Sequence, residues 1–155
     1  MEPDALPSHA SFARSALAAI ALVTLSAGPA AAADKKIIRS AGTAPGGNYS
    51  QGILIDGTLY VSGQAGEGKD GKIADTFEAE VKQALDNIDA VLSAAGMSAS
   101  DVVSVQAYLT DDTLFQRFNA VYTSFFKDPR PTRTTVVVKR LVGEGHVEIT
   151  VTARK

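Results

Sequence analysis

The sequence contains no cysteine and only two histidines, His9 and His146, among its 155 residues. The absence of cysteine excludes disulfide bonds, a thiolate nucleophile and cysteine-ligated zinc or iron–sulfur sites. His9 falls in a segment that we predict to be removed, so one histidine remains and a histidine-rich metal centre is not expected. No serine stands at a nucleophile elbow beside His146, which disfavours a Ser-His-acid trio. We therefore predict no metal site.

A strong charge of either sign is also missing. The formal net charge is -2, and lysine and arginine are scattered along the chain rather than gathered in one stripe. The electrostatic footprint of a nucleic-acid-binding protein is thus absent, and we expect no nucleic-acid partner. The hydrophobic share of 45% and the charged share of 21% are typical of a globular protein, and the length suits one domain.

No hydrophobic run is long enough to span a bilayer, but residues 1–33 have the pattern of an export signal. After Arg14 an apolar run of about 12 residues extends from Ala16 to Ala27, which is the length of a signal-peptide core. A Gly-Pro pair breaks the run, and Ala31–Ala33 fits the small-residue cleavage rule. We predict a cleavable signal peptide over 1–33 and a periplasmic or secreted domain over 34–155, with no stable membrane association after cleavage. A disordered leader or a buried helix is the alternative, and would leave the protein in the cytoplasm.

The rest of the chain begins with β-like runs and turns. "KKIIRSAG" predicts a short strand, and the turn formers at 43–51 predict a loop. "GILI" and "TLYVSG" flank Asp56-Gly57, which is a type I′ hairpin signal. The glycine-rich segment 64–72 lacks the GxxxxGK[ST] spacing of a phosphate-binding loop.

Two amphipathic helices follow, with a valine-rich strand from Val102 to Leu109 between them. Asp75 and Glu78 resemble a capping box that opens the first helix, and Gly96 closes it. Helical spacing is shown by Phe77, Val81, Leu85, Ile88, Leu92 and Ala95 in the first helix, and by Leu114, Phe118, Val121, Tyr122 and Phe125 in the second, which Pro129 ends.

The last two strands are predicted from about Arg133 to Leu141 and from His146 to Ala153. The order β-β-β-α-β-α-β-β predicts an α+β fold with one mixed sheet and two helices packed on one face. Aliphatic residues fall on both faces of these strands, while two helices cover only one face. The pattern therefore indicates burial of the other face against a second subunit.

Arg133 and Glu148 are the charged residues that could carry chemistry in these strands. A guanidinium at the mouth of a strand either lies in solvent or holds an anion, and its planar fork suits a carboxylate. If the two strands form a hairpin, Glu148 lies opposite Lys139, and an exposed ion pair is the alternative to a functional role. In that register Arg133 and Glu148 are roughly 20 Å apart. A shared ligand then requires a neighbouring subunit or another strand order.

Four further polar or flexible positions could contact a ligand. Tyr49, in the turn-rich loop, offers a phenol, although it could equally be a packing aromatic. Asn119 lies in the second helix, where it makes either a hydrogen bond to a loop or a ligand contact. Ser62 and Gly63 end a strand, and a glycine there allows close approach of a backbone group.

Three separated motifs together resemble the RidA (YjgF/YER057c/UK114) family of reactive-intermediate deaminases. They are "GTAPGGNYSQGILIDGTLYVSGQ", "FQRFNAVYTSFF" and "PRPTRTTVVVKRLVGEGHVEITVTA", in the family's order and spacing. The resemblance covers residues 36–154. It implies a chorismate-mutase-like α+β fold and a homotrimer with active sites in clefts between subunits.

The resemblance also implies a reaction, namely hydrolysis of 2-enamino and 2-imino acids to 2-keto acids and ammonia without a cofactor. By motif position, Arg133 corresponds to the arginine that binds the substrate carboxylate, and Glu148 to the acid that orients or activates water. Tyr49, Ser62, Gly63 and Asn119 match the remaining pocket positions. The substrate expected from the resemblance is a small 2-iminobutanoate or 2-iminopropanoate.

The sequence departs from the family pattern at several points. Thr135 stands where many members have cysteine, which removes any role of a thiol but leaves the backbone of this residue available for substrate binding. The segment "VGEGH" replaces a usual Leu-Pro segment, and an exported copy would be separated from the enzymes that produce enamines. Two alternatives therefore stay open. One is a non-catalytic trimeric module that binds small molecules or protects proteins, and the other is a related hydrolase or lyase for a cyclic or carbamoylated substrate.

Overall fold

A six-stranded sheet with two helices on one face forms the core of the computed structural model, which describes residues 34–42 and 47–155. The predicted leader 1–33 lies outside the described residues. The order of elements agrees with the prediction. The strands are β1 Lys36–Ile38, β2 Gly52–Ile55, β3 Thr58–Ala65, β4 Val102–Leu109, β5 Thr132–Val137 and β6 Val147–Arg154, and the helices are α1 Phe77–Ala94 and α2 Phe115–Phe125.

The strand order in the sheet is β1-β2-β3-β6-β4-β5. All neighbours are antiparallel except β4 and β5, which run parallel and are joined by α2. The predicted hairpin of the last two strands is therefore wrong. A parallel pair needs a crossover connection, which α2 supplies, and the apolar β6 then enters the centre of the sheet with a neighbour on each side. Glu148 is consequently opposite Tyr108 and Ala65 rather than Lys139.

Local signals define the ends of α1. The helix begins after Thr76, whose side chain accepts a hydrogen bond from the Ala79 N–H, so the cap lies one residue after the predicted Asp75. At the other end Gly96 has φ +71, its N–H donates to the Ser93 carbonyl, and the Met97 N–H donates to the Leu92 carbonyl. This is a Schellman motif, and it confirms Gly96 as the end of the helix.

The turn at Asp56-Gly57 is also confirmed. Both residues have positive φ, 49° and 72°, as a type I′ turn requires. The end of β5, in contrast, was predicted too late, because pairing with β4 stops at Leu109 and Val137.

The two faces of the sheet differ in cover. β6 presents Val147, Ile149, Val151 and Ala153, all buried, to the helices. Residues on the other face are partly or fully exposed, and among them are Tyr60, at 54% exposure, and Val136, at 40%. Within the described ranges, no helix has the length and hydropathy needed to cross a bilayer.

Candidate active site in two halves

A pocket of about 730 Å³ lies where β3 and β6 meet the segment between β1 and β2. We call it the Glu148 pocket, and its walls include four predicted site residues, Tyr49, Ser62, Gly63 and Glu148. The structure thus brings together the acid and three of the proposed binding positions. The Glu148 pocket is also lined by four residues that the sequence did not indicate, namely Arg39, Gln51, Glu67 and Asn87. Each lies far in sequence from Glu148, so no local signal connects them.

A β-bulge shapes the floor of the Glu148 pocket. The pairing of β3 with β6 shifts between Val61 and Gln64, which leaves Ser62 and Gly63 in the irregular segment. The Gln64 amide donates to the carbonyls of Ser62 and Gly63 at 3.0 and 3.1 Å. The Ser62 hydroxyl donates to the Gln51 carbonyl at 3.1 Å. The two hydrogen bonds from Gln64 satisfy the carbonyl groups of Ser62 and Gly63 in the irregular segment.

Gly63 is required by the position of the Glu148 carboxylate. A Cβ atom added to Gly63 would lie 1.9 Å from Glu148 Oε1 and 2.6 Å from its Cδ. Any side chain at this position would therefore displace the carboxylate. The close approach predicted for this glycine is confirmed, and the group that approaches is the proposed catalytic acid.

The Glu148 carboxylate has no salt-bridge partner among the described residues, whose ion pairs involve Glu78, Glu80, Asp86 and Asp128. It is half-buried, on the sheet face opposite the helices. A carboxylate in this state can accept a proton from a water molecule held in the pocket.

Tyr49 lies in the wall of the Glu148 pocket and is 73% exposed. Within the described chain, Tyr49 is therefore not packed in the core. The phenol is available to stack on a ligand or to donate a hydrogen bond to it.

Arg133 lies in a different environment, which we call the Arg133 cluster: Arg133 and Thr135 of β5 with the rings of Phe115, Phe118 and Tyr122 of α2. Arg133 pairs with Val105, a buried residue, so its side chain extends toward α2. The guanidinium carbon lies 4.4 Å from the ring centroid of Tyr122 and 5.4 Å from that of Phe118. Aromatic faces hold a cation in place without neutralising it, so the charge remains available to an anion.

Two hydroxyl groups in the Arg133 cluster lack partners. The hydroxyls of Tyr122 and Thr135 are buried and have no hydrogen bond in the described structure. Burial raises the pKa of Tyr122 above its usual value, and the charges of Arg133 and Arg130 partly offset the rise, so the phenol is a neutral donor near pH 7. Asn119 lies one helical turn before Tyr122 and is half-buried. An arginine, a phenol and a threonine hydroxyl together are donors suited to a carboxylate.

Within one chain, the Glu148 pocket and the Arg133 cluster lie apart. Arg133 is level with Val105 and Val151, whereas Glu148 is level with Tyr108. They are two strands and three residues apart, roughly 14 Å between Cα atoms, and they extend from opposite faces of the sheet. The described residues contain no group of three or more His, Asp or Glu arranged to hold a metal ion.

Comparison with known proteins identifies the family. The family model described as "Endoribonuclease L-PSP" matches residues 40–155. A RutC family protein of Aquifex aeolicus is 40% identical over 72% of this chain and 91% of its own length. The 2-iminobutanoate/2-iminopropanoate deaminase of Bos taurus is 40% identical over 74% of this chain and 86% of its own.

The crystal structure of RidA from a Psychrobacter species superposes with a TM-score of 0.72 and 34% identity, covering 77% of this chain and 99% of that one. The fold and the sequence therefore agree, and the chain belongs to the Endoribonuclease L-PSP family, which includes the RidA/YjgF proteins. The predicted family and fold class are both confirmed.

Proposed function

We propose that this protein is a cofactor-independent hydrolase that converts small 2-imino acids, such as 2-iminopropanoate and 2-iminobutanoate, to 2-keto acids and ammonia. The observation that carries the proposal is the Glu148 carboxylate, which has no described salt-bridge partner and lies across the glycine bulge in the wall of a pocket. The similarity to deaminases of about 40% identity supports the same reaction.

The reaction requires few groups because an imine carbon is already electrophilic. Glu148 accepts a proton from a bound water while the oxygen of that water forms a bond to the imine carbon. Return of that proton to the imine nitrogen gives the neutral carbinolamine. Glu148 then accepts the hydroxyl proton and delivers it to the amino nitrogen, so the carbon–nitrogen bond breaks, ammonia leaves and the carbon–oxygen double bond of the keto acid forms. Positioning and one proton-transfer group can suffice for this chemistry.

Arg133 is the proposed partner of the substrate carboxylate, with Asn119 and Thr135 beside it. Because Arg133 and Glu148 are separated within one chain, we propose that the cluster of one protomer meets the pocket of the next in a homotrimer. The exposed residues on the open face of the sheet, Tyr60 and Val136 among them, support contact between copies. Tyr49, Ser62 and Gly63 then form the wall opposite Arg133.

The family description names a ribonuclease, but the features of this chain do not favour RNA as a substrate. Its net charge is -2, and no basic stripe is present in the sequence. We propose a small-molecule substrate and no nucleic-acid partner.

The test is a coupled assay in which an enamine is generated in place and keto acid release is followed. We expect acceleration over buffer, with kcat/KM reduced about 100-fold in Arg133→Ala, because a desolvated carboxylate loses its charged partner. Glu148→Gln should lower kcat by a similar factor, because it cannot accept the proton. Binding of 2-keto acids without any hydrolysis of imines would replace this proposal with the non-catalytic binding module.

We also propose export, on the basis of the leader pattern in residues 1–33. N-terminal sequencing of the protein recovered from a cell-envelope fraction should begin near Asp34. Recovery of a chain that begins at Met1 from the cytoplasm would overturn this part of the proposal.

A further inference from the structure

Glu80 is a buried carboxylate that the proposed reaction does not use. It lies in the first turn of α1 and is 1% exposed, and no lysine or arginine pairs with it among the described residues. A carboxylate in this position is costly unless hydrogen bonds compensate it. Its hydrogen-bond partners therefore indicate what the residue does.

All of those partners lie at the beginning of β6. Glu80 Oε1 accepts the backbone N–H of His146 at 2.5 Å and that of Val147 at 3.1 Å. Oε2 lies 3.0 Å from His146 Nδ1. The next residue along the strand is Glu148. The buried carboxylate thus fixes two consecutive peptide groups immediately before the proposed catalytic acid.

The same helix, α1, also contacts the end of β3, which pairs with β6 beside Glu148. A Cβ atom on Gly66 would lie 2.3 Å from the Glu80 carbonyl oxygen, so the end of β3 and α1 are in backbone contact. The Asn87 amide donates to the carbonyls of Ala65 and Glu67, each at 3.0 Å. Ala65 is the ladder partner of Glu148. Polar groups of α1 therefore fix both β6, which carries the acid, and the end of β3, which pairs with it.

We propose that Glu80 is a positioning residue that holds the Glu148 carboxylate over Gly63 by anchoring the start of β6. The proposal rests on the function proposed above, in which Glu148 is the base. Catalytic groups must be held within about 0.5 Å of their productive geometry by residues that are themselves fixed. A buried carboxylate adds little net stability compared with an apolar side chain of the same size, but it sets the direction of the peptide groups that it binds.

The test compares Glu80→Asp with Glu80→Gln. Aspartate keeps the charge but withdraws the acceptor by one methylene, whereas glutamine keeps an acceptor oxygen where Oε1 lies. We expect Glu80→Asp to lower kcat about 10- to 100-fold with little change in KM, because displacement of a catalytic group by about 1 Å has an effect of this size. Glu80→Gln should remain near the wild type. Asp89→Asn, an exposed acid on the same helix, is the matched control and should be neutral.

Combination with Glu148→Gln separates positioning from general support of the fold. If Glu80 acts through Glu148, Glu80→Asp has no further effect on the residual rate of Glu148→Gln. Equal losses in both backgrounds would overturn the proposal, as would a wild-type kcat in folded Glu80→Asp.

A measurement without turnover keeps this proposal distinct from the function itself. The carboxyl ¹³C resonance of Glu148, assigned by its loss in Glu148→Gln, should shift or broaden in Glu80→Asp and stay unchanged in Glu80→Gln. If the wild type hydrolyses no imine, the proposed function fails and this resonance still decides the role of Glu80. An unchanged resonance in Glu80→Asp overturns that role.

Discussion

The Glu148 pocket and the Arg133 cluster differ in how far the polar groups around each charge are satisfied. In the pocket, Ser62 and Gln64 hydrogen-bond to the backbone, and the bulge is complete without a ligand. In the cluster, a cation lies against aromatic rings and the hydroxyls of Tyr122 and Thr135 have no partner. One region is a cavity whose bulge carbonyls are already paired and whose wall holds the proposed acid, and the other is a set of donors without an acceptor.

This difference indicates which step of the proposed reaction each region would serve. Buried donors without partners are costly, and a substrate carboxylate would remove that cost in the cluster. The pocket has the space and the proton acceptor. On our proposal the two regions are complementary parts of one site, and each chain contributes one part to each of two neighbouring sites.

The largest expected effect is recovery of activity when Arg133→Ala and Glu148→Gln chains assemble together. Arg133→Ala retains an intact pocket and Glu148→Gln retains an intact cluster. When the two chains are co-expressed in equal amounts, random assembly should restore about one quarter of wild-type activity, because half of the clusters and half of the pockets are intact. Mixtures assembled only from separately folded homo-oligomers should stay inactive. If co-expression restores nothing, the two residues do not meet across an interface.

Gly63→Ala should have the next largest effect, and only on the pocket. The added methyl group displaces the Glu148 carboxylate, because Cβ would lie 1.9 Å from Oε1. We expect kcat to fall about 100-fold while binding through Arg133 persists. Gly68→Ala, in the wall of the same pocket, is the control, since its Cβ would meet Asp70 Oδ1 at 3.0 Å and the Lys72 carbonyl oxygen at 3.6 Å but no atom of Glu148. Equal rates for Gly63→Ala and the wild type would contradict the assigned position of the acid.

Removal of a single hydroxyl group should change the free energy of unfolding differently in the two regions. Ser62→Ala loses a hydrogen bond to the Gln51 carbonyl and should lower the free energy of unfolding by about 1 kcal/mol. Tyr122→Phe removes a hydroxyl without a partner and keeps the ring beneath Arg133, so it should leave stability unchanged or raise it by up to about 1 kcal/mol. Denaturant unfolding at low protein concentration measures both. A clear loss for Tyr122→Phe would show that its hydroxyl is paired within the folded chain.

The smallest effect is expected from the ion pair that joins α1 to α2, the helix whose rings contact Arg133. Arg117 of α2 donates to Glu78 at 2.6 and 2.8 Å, and this contact lowers the pKa of Glu78 to about 2. An acid with a lowered pKa contributes its full stability above its unfolded-state pKa, and the contribution is lost as the pH falls through the folded pKa of about 2. The difference in thermal unfolding temperature between the wild type and Glu78→Gln should be small and constant from pH 5 to 8, and should shrink steadily as the pH falls from 4 to 2. An equal difference at pH 7 and pH 2 would exclude this ion pair as its cause.

Local elements of the fold could be predicted, whereas the position of β6 could not. The end of α1 at Gly96 and the Asp56-Gly57 turn depend on a few neighbouring residues, and both were confirmed, whereas the N-cap of α1 was predicted one residue too early. The hairpin assumed for the last two strands was wrong because pairing between distant strands depends on tertiary packing. That error placed Glu148 opposite Lys139 instead of beside Gly63 and Ala65.

The site was predicted unevenly for the same reason. Its residues were named from motifs, but their division into two regions depends on the register of β4 with β5 and β6. Glu80 was missed, although a signal was present. It belongs to a row with Ala84, Ile88 and Val91 that is otherwise apolar, and a charged residue in such a row indicates a specific buried partner.

The two outer strands of the sheet present different edges to solvent. β1 has three residues and includes Lys36, whereas β5 has six residues, all but one of them threonine or valine, and Val137 is 52% exposed. A strand edge whose one charged residue is Arg133 is a template for intermolecular pairing. A single-chain sensor engineered from this scaffold would therefore need a lysine or a proline added to β5 to keep the edge from pairing with another copy.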